Sequence, residues 1–477
     1  MNKKGNLFSL IKSLTKTEKR YFRIFANMSG RDVNYLQLFD VIDKQEQYDE
    51  EAIRGKFKGE KFVNQLHVTK IYLTELIMKA LRNYHTDSSV ESTILDLLKD
   101  AELLFDKELY DLCHSKIQKA EELAGIYEKL PLLVEVLMWK RKLFLAISST
   151  PPDVNSILEK EREMIQQMKV LNNYWQQIIN IRSSIIDNRD IKDIIPTVSG
   201  NDHTLQSKIL NIHIAYTVHF FKGDTEGANR YSSDLIELLE KFPNRIKEDP
   251  HPYVTAISNK IGVLLAIKQW EEIPILIDKI REVPQKYKLE NETKFTIRLW
   301  LRTFNVELEM YRDSKELEKG MLLIHKIQNF IETRRTSIPD DYILMFYYQF
   351  SNIYFQKKEF SNSLHWLNEI INSNFGNVRE DIQCYARILN LIVHFELNNI
   401  IVLRYAVDSC RRFLKKRRID NNSVNEILSL FSKLSQAYPL EYQAILKKSY
   451  AKFLHSDSRE LQDFIDIKGW LEEKIER

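Results

Sequence analysis

Glycine and proline are scarce in this chain, which has 12 glycines and 11 prolines among 477 residues. Both fractions are less than half of the roughly 7% and 5% found in average proteins. A fold of many strands needs far more turn residues, and phosphate-binding loops need clustered glycines. The scarcity therefore predicts long helices joined by short polar links. Because 44% of the residues are hydrophobic, the chain can bury a large interior, although it is too long for one compact core.

Cysteines and long apolar runs are also few. The three cysteines, Cys113, Cys384 and Cys410, are odd in number, widely spaced and set within apolar helical patterns. This arrangement predicts buried, reduced thiols rather than disulfides. No apolar run approaches the roughly 18 residues that span a bilayer, and the run after Lys3 and Lys4 is too short for a secretory signal. We therefore expect a cytoplasmic protein with no membrane partner.

Familiar catalytic motifs are missing as well. The sequence contains no GxxxxGKS/T, GxSxG, HExxH or CxxC motif, and its histidines are scattered rather than spaced as metal ligands. One SxxK match, from Ser13 to Lys16, lacks the partner motifs of the enzymes that use it. We predict no catalytic residues, no cofactor and no metal. An enzyme that assembles its site from distant residues is the alternative.

Positive charge is concentrated in the first 86 residues, which hold 16 Lys and Arg against 10 Asp and Glu, while the whole chain carries only +3. The pattern predicts four helices in this segment. Capping patterns at Thr15 and Asn34 are each followed three residues later by Glu or Gln, Asp49 begins a third helix, and a long fourth helix spans about 63–84. A polar junction then places a domain boundary at residue 86.

The clearest helical pattern lies in the stretch 340–374. One face of its first helix carries Tyr347, Phe350, Ser351 and Tyr354, at offsets of 0, +3, +4 and +7. After a short polar break, a second helix has its own stripe: Phe360, Ser363, Leu367 and Ile370. Two amphipathic helices are therefore predicted to meet at a short turn, with a small residue in each where their backbones come close.

Similar turns recur along the chain. The large or branched residue that follows each polar break is Tyr110, Thr225, Trp270, Leu317, Phe360 or Ile400. From Thr225 onward these positions are 40 to 47 residues apart. The pattern resembles the tetratricopeptide repeat, although its units are longer than the usual repeat of about 34 residues.

The resemblance implies an all-α fold, with a right-handed α-solenoid of tetratricopeptide-like helix pairs over residues 87–477. A small helical N-terminal domain would occupy residues 1–86. The resemblance further implies a helical-repeat scaffold that binds a protein or peptide and has no catalytic activity, because stacked pairs form a long concave surface.

In that family the first helix of each pair lines the concave side. On the predicted helix 292–312, polar residues align at offsets of three and four, opposite Trp300 and Phe304. The candidate groove residues are Lys294, Arg298, Arg302, Asn305, Tyr348 and Asn352. Two arginines one turn apart would suit a carboxylate. A merely solvated stripe is the alternative interpretation.

The basic first segment allows a different function. Short capped helices before a long basic helix loosely fit a helix-turn-helix head, which would make the chain a DNA-binding transcriptional regulator with a repeat domain for sensing or dimerisation. Phosphate contacts would then come from Lys56, Lys58, Lys61 and Lys70. Alternatively, the segment only caps the first repeat. No pattern in the sequence predicts an oligomeric state.

The densest cationic cluster is the run 411–418, in which six of eight residues are Lys or Arg. One interpretation is a patch for an anion or nucleic acid. The other is that these cations complement the negative end of the helix that they close. Their position at the end of a second helix favours the structural interpretation.

Overall fold

The computed structural model of the chain describes residues 6–28, 33–85, 89–147, 154–186, 204–289, 294–373, 375–417, 422–453 and 466–476. All regular structure in these ranges is helical, without a strand, so the predicted all-α class is confirmed. None of the described helices is long and apolar enough to cross a membrane. The chain forms two compact units. One comprises the described residues up to 186 together with 204–211, and the other comprises those from 212 onward.

The first unit contains nine described α-helices, with a short 3-10 helix, Lys61–Gln65, before the fifth. They are α1 Asn6–Ser13, α2 Lys16–Met28, α3 Val33–Lys44, α4 Glu50–Lys56, α5 Leu66–Tyr84, α6 Val90–Asp106, α7 Tyr110–Ile126, α8 Leu130–Ile147 and α9 Val154–Ile186. A tenth helix, α10 Leu205–Phe221, begins among residues of the first unit and ends among those of the second.

The second unit continues with thirteen further described α-helices. They are α11 Thr225–Glu240, α12 Pro243–Glu248, α13 His251–Ala266, α14 Ile273–Lys286, α15 Lys294–Asp313, α16 Leu317–Arg334, α17 Asp340–Gln356, α18 Phe360–Asn372, α19 Glu380–Glu396, α20 Ile400–Arg417, α21 Asn422–Leu434, α22 Tyr442–Phe453 and α23 Ile467–Glu476.

Local sequence signals set most helix ends in the N-terminal segment. The Thr15 hydroxyl accepts from the Glu18 amide at 3.2 Å, and the Glu18 carboxylate accepts from the Thr15 amide at 2.7 Å, so the predicted capping box is present. Asp49 caps α4 as expected. Asn34 does not cap a helix, because α3 begins one residue earlier. The segment has five described α-helices rather than four, since α1 precedes the first predicted one.

The N-terminal helices enclose a hydrophobic cluster of their own, centred on residues such as Phe22, Phe39 and Ile77. A second cluster forms from α6 to α9 around residues such as Ile94 and Leu143. The two clusters lie on either side of the boundary predicted at residue 86, although the division into compact units occurs later in the chain. Residue 86 itself lies outside the described ranges.

The turns between paired helices share one backbone geometry. Six of them have three linking residues, of which the middle one has a positive φ: Glu108, Glu128, Gly223, Lys315, Lys358 and Asn398. At the 356–360 turn, the Glu359 amide donates to the Tyr354 carbonyl at 2.9 Å and the Lys358 amide donates to the Phe355 carbonyl at 2.9 Å. These bonds satisfy the last carbonyls of the first helix, as in a Schellman motif. The polar breaks in the sequence are therefore helix C-caps.

The close approach predicted at small residues occurs in both units. Ser363 is fully buried and its hydroxyl donates to the Ser351 carbonyl at 2.9 Å. Cys113, also fully buried, makes the same kind of contact to the Ala101 carbonyl at 3.3 Å. Phe360, by contrast, is only half-buried, against Phe355 at a ring-centroid distance of 5.8 Å.

The three cysteines are free and buried, as predicted. Burial raises the pKa of the Cys384 thiol to about 11 and that of the Cys410 thiol to about 12. Both groups are therefore uncharged and poorly nucleophilic at neutral pH.

Packing in the second unit follows chain order. From α15 to α21, each helix packs against the next one. In addition α15 contacts α17, α17 contacts α19, and α19 contacts α21. The odd-numbered helices thus lie side by side, and α17 and α19, with neighbours on every side, carry the most continuous runs of buried residues.

Candidate binding surface

The polar side of α15 is open to solvent. Lys294, Arg298 and Arg302 are exposed at successive turns, while the opposite side buries Phe304 and Leu308 completely. Helical periodicity explains this division, because positions four apart share a face and the apolar face is consumed by packing. The three cations therefore form a row along one helix.

The two arginines of this row have no carboxylate partner within the described ranges. Arg302 Nη1 donates to the Ser258 hydroxyl of α13 at 3.4 Å, and Arg298 makes no ion pair there. Arg281 of α14 differs, since its Nη2 pairs with Glu307 of α15 at 2.5 Å and its side chain is largely buried. Arg298 and Arg302 thus retain most of their capacity to donate to an added anion.

Asn305 extends the row toward α17. Its side-chain oxygen accepts from Gln349 Nε2 at 3.5 Å, and the Gln349 oxygen accepts from Arg312 Nη1 at 3.0 Å. Arg312 in turn pairs with Asp313 through Nε at 2.7 Å. Sequence reasoning missed Ser258, Gln349 and Arg312. Gln349 was obscured by the aromatic residues around it in α17, although a polar residue amid that run was a usable signal.

Tyr348 and Asn352 do not lie on an open surface, contrary to the expectation from the sequence. Their exposed fractions are only 3% and 6%. Asn352 Nδ2 donates to the Tyr348 carbonyl of its own helix at 3.0 Å, and burial raises the pKa of the Tyr348 hydroxyl. A helix with neighbours on several sides has no free face, which the pattern of one helix cannot reveal. These two residues support the helix packing instead.

Asn352 also lines a cleft of about 400 Å³ on which α23 forms one wall. Several charges in this cleft are paired with one another. Glu396 accepts from the Trp470 indole N–H and from Lys474, both at 2.6 Å, and Lys358 pairs with Glu473 at 2.6 Å. The cleft therefore has less unused hydrogen-bonding capacity than the α15 row.

The lysines predicted to contact DNA divide into two groups. Lys70 pairs with Glu50 at 2.8 Å and donates to the Tyr48 hydroxyl at 3.0 Å. Hydrogen bonds from Lys70 and Arg54 lower the pKa of Glu50 to about 2, so this pair is charged at neutral pH. Lys70 is therefore committed to an internal contact.

The remaining three lysines, Lys56, Lys58 and Lys61, are exposed around the turn after α4. None forms an ion pair within the part of the chain that the structure describes. The neighbouring long helix α5 exposes Lys79 and Arg82 in its C-terminal half, but apolar side chains occupy much of its exposed surface. These are Val68, Ile71, Tyr72 and Met78. A DNA-reading helix normally presents polar and cationic side chains instead.

The cationic run at the end of α20 is partly structural. Arg417 pairs with Glu380 at 2.6 Å and donates to the Gly376 carbonyl at 2.6 Å, which ties the end of α20 to the loop before α19. Arg412, Lys415 and Lys416 are exposed. Arg418 lies outside the described ranges.

Among the described residues, no group of three or more His, Cys, Asp and Glu side chains is arranged to hold a metal ion. The chain matches no protein-family model, and neither a curated protein nor a solved structure is significantly similar to it. Functional inference therefore rests on the geometry of the chain itself.

Proposed function

We propose that this chain is a helical-repeat scaffold that binds an acidic protein segment or peptide along α15, without catalytic activity. In this proposal the helix pairs within each unit stack as a right-handed α-solenoid of tetratricopeptide-like repeats. The common turn geometry and the side-by-side packing of α15, α17, α19 and α21 support the stacking. The observation that carries the binding function is the exposed Arg298 and Arg302 pair, which lacks a carboxylate partner among the described residues.

Arginine spacing determines what the surface would bind. Side chains at positions i and i+4 lie about 6 Å apart on one helix face, so Lys294, Arg298 and Arg302 offer three cationic groups in a row. Each guanidinium can hold a carboxylate through two parallel hydrogen bonds. A hydrogen bond to a charged group contributes about 1.5–3 kcal/mol, so two occupied arginines are enough for a specific, moderate affinity. An extended segment with acidic side chains or a terminal carboxylate fits this row.

A defined probe tests the proposal. Fluorescein-labelled peptides with two or three acidic residues at varied spacing are titrated with the full chain, and binding is followed by fluorescence anisotropy. Arg298→Ala with Arg302→Ala should weaken binding of the best peptide by at least about tenfold, because even one of the two lost charged contacts is worth about 1.5 kcal/mol.

The matched control removes two adjacent exposed cations elsewhere. Lys415→Ala with Lys416→Ala changes the net charge by the same amount but should leave the peptide affinity within about twofold. An equal loss of peptide affinity in the two double variants would show that the peptide is attracted nonspecifically by positive charge. An unchanged affinity in the arginine variant would mean that the peptide binds elsewhere on the chain.

A DNA-binding regulator remains the second candidate. It is favoured by one observation, the exposed cluster of Lys56, Lys58 and Lys61, none of which forms an ion pair within the described ranges. If this cluster contacts phosphates, changing the three lysines to Ala should weaken duplex DNA binding and reduce the salt slope by about one ion per lost contact. Lys70→Ala should have less effect on the slope, because Lys70 is already paired with Glu50. Absence of binding at roughly 50 mM salt would eliminate this candidate.

A further inference from the structure

Four lysines line one cleft in the second unit. It has a volume of about 530 Å³ and lies where α11 ends, α12 passes and α14 ends. The lysines are Lys247, Lys279, Lys286 and Lys288. Lys247 comes from α12, Lys279 from within α14, and Lys286 and Lys288 from the C-terminal end of α14 and just beyond it, so no dense run of positive charge in the sequence signals the cluster.

Among the described residues that line this cleft, Glu240 is the only acidic one. Its carboxylate accepts from the Tyr253 hydroxyl at 2.6 Å and pairs with Lys279 at 3.0 Å. Burial alone would raise the pKa of Glu240, but these hydrogen bonds and the charges of Lys279 and Lys286 outweigh it, so the pKa lies below its usual value. Glu240 is therefore ionised at neutral pH and already engaged.

The other three lysines keep an unbalanced charge. Lys247, Lys286 and Lys288 are exposed, and none lies within ion-pair distance of a carboxylate in the described part of the chain. The three positive charges around the cleft repel each other. An anion that binds there is attracted by all three and also relieves their mutual repulsion. The local backbone maintains this arrangement, since Lys288 is in the left-handed conformation with φ 55°.

The aromatic residues nearby cannot stack on a nucleobase. Tyr287 is 8% exposed and Tyr253 is 2% exposed. The two rings pack edge to face against each other, with centroids 6.3 Å apart. Base recognition usually needs an accessible ring face. The cleft thus provides ammonium groups for phosphate oxygens but no accessible aromatic ring on which a base could stack.

We propose that this cleft binds the phosphate chain of a small, multiply charged anion such as an inorganic oligophosphate or a nucleoside triphosphate. Lysine ammonium groups are suited to phosphate as point charges without strict geometry. We expect a chain of two or three phosphates to contact more of the three lysines at once than a single sulfate does, because it carries more charged oxygens over a greater length. The site is separate from the α15 row and does not depend on the peptide-binding proposal.

Isothermal titration calorimetry with the full chain tests this site, with inorganic tripolyphosphate as the probe. Tripolyphosphate and ATP should bind with similar affinity, while adenosine and sulfate should bind at least about tenfold more weakly, because the phosphate chain makes all the contacts. Binding of adenosine as tight as that of ATP would show that a base is recognised and would overturn the proposal.

Three variants locate the site. Lys247→Ala, Lys286→Ala and Lys288→Ala combined should lower the tripolyphosphate affinity by about tenfold or more, and the same three positions changed to Arg should retain it within about threefold. The control removes three exposed cations of α20, through R412A, K415A and K416A. The proposal would be overturned if the control lost as much tripolyphosphate affinity as the cleft variant with three alanines, or if that cleft variant lost none.

Discussion

Asn352 and Lys70 have side chains suited to binding, yet both are used inside the protein. Asn352 is 6% exposed and bonded to its own helix, and Lys70 holds Glu50 and Tyr48. Arg298 and Lys58, of similar polarity, are exposed and have no ion-pair partner among the described residues. At the scale of single residues, burial and existing partners separate binding candidates from packing residues.

The close contact at Ser363 should not tolerate a larger side chain. Ser363 has no exposed surface and its hydroxyl lies 2.9 Å from the Ser351 carbonyl. We expect Ser363→Leu to lower the free energy of unfolding by about 1–3 kcal/mol, because the added methyl groups force the helices apart. The neighbouring exposed Ser361 provides the control, since Ser361→Leu should change stability by no more than about 0.5 kcal/mol. Denaturant titration of both variants measures the difference, and equal stabilities would mean that the α17–α18 contact is looser than described.

The Glu50 carboxylate should make part of the stability depend on pH. Its pKa is lowered to about 2 in the folded chain by hydrogen bonds from Lys70 and Arg54, while an unfolded Glu has a pKa near 4.5. A lowered pKa contributes stability that is fully present above pH 4.5 and is lost as pH falls toward 2. The melting temperature of Glu50→Gln should therefore lie below that of the wild type at pH 7, and the gap should close between about pH 4.5 and 2. A gap that stays constant over this range would contradict the charged contact.

At the scale of the helices, the paired helices share the geometry of the turn that joins them. The left-handed residue after each first helix is Gly only at position 223, whereas Lys268, Lys315 and Asn398 adopt the same region with side chains attached. Left-handed backbone costs a residue with a Cβ roughly 1–2 kcal/mol. The left-handed turn residue therefore lowers the stability of each helix pair wherever it is not glycine. Substituting glycine at such a position measures this loss.

Lys268→Gly should stabilise the second unit. Lys268 is exposed, has φ 58° and forms no ion pair within the described ranges. Glycine adopts this conformation freely, so we expect a gain of about 0.5–1 kcal/mol after its greater entropy in the unfolded chain is included. Gly223→Ala should act in the opposite direction by a similar amount. A Cβ added there would meet no atom within 4 Å, so only the φ of 76° opposes it. Thermal melting of both variants shows whether the melting temperature rises for Lys268→Gly and falls for Gly223→Ala. A lower melting temperature for Lys268→Gly would mean that this turn carries no strain.

At the scale of the whole molecule, several separate hydrophobic clusters replace a single core. The N-terminal helices and the helices from α6 to α9 have one each, and the C-terminal helices share another that includes Trp470 and Leu471 of α23. Damage to one cluster should therefore remain local.

Trp470→Ala should destabilise the C-terminal helices without affecting the N-terminal ones. The Trp470 ring is 6% exposed and lies 5.7 Å from the Phe431 ring, and its N–H donates to Glu396 at 2.6 Å. Removing a buried Trp costs about 3–5 kcal/mol. Hydrogen exchange should become faster in α19 to α22 and stay unchanged in α2 to α5. Trp175 is 49% exposed, so Trp175→Ala should leave protection of α19 to α22 unchanged. Faster exchange in both groups of helices after Trp470→Ala would show one cooperative core.

The sequence determined the helical class, the place of most turns and the burial of the cysteines. Scarce glycine and proline excluded a strand-rich fold, and the polar breaks at 356–359 and 396–400 coincide with helix ends. The sequence also predicted the exposed face of α15, because a helix that packs its apolar side against neighbouring helices directs its polar side toward solvent. These features depend on residues within a few helical turns of each other, so they can be predicted from the local periodicity of the sequence.

Only the tertiary structure decided which polar residues are accessible. Tyr348 and Asn352 are buried because α17 has neighbours on several sides, and Lys70 is neutralised by Glu50, which lies 20 positions earlier. The cleft around Lys247, Lys286 and Lys288 brings together side chains of α12 and of the end of α14, which are distant in the sequence. Helical periodicity specifies which residues share a face, but which face is covered depends on contacts between distant segments, and those contacts form only when the chain folds.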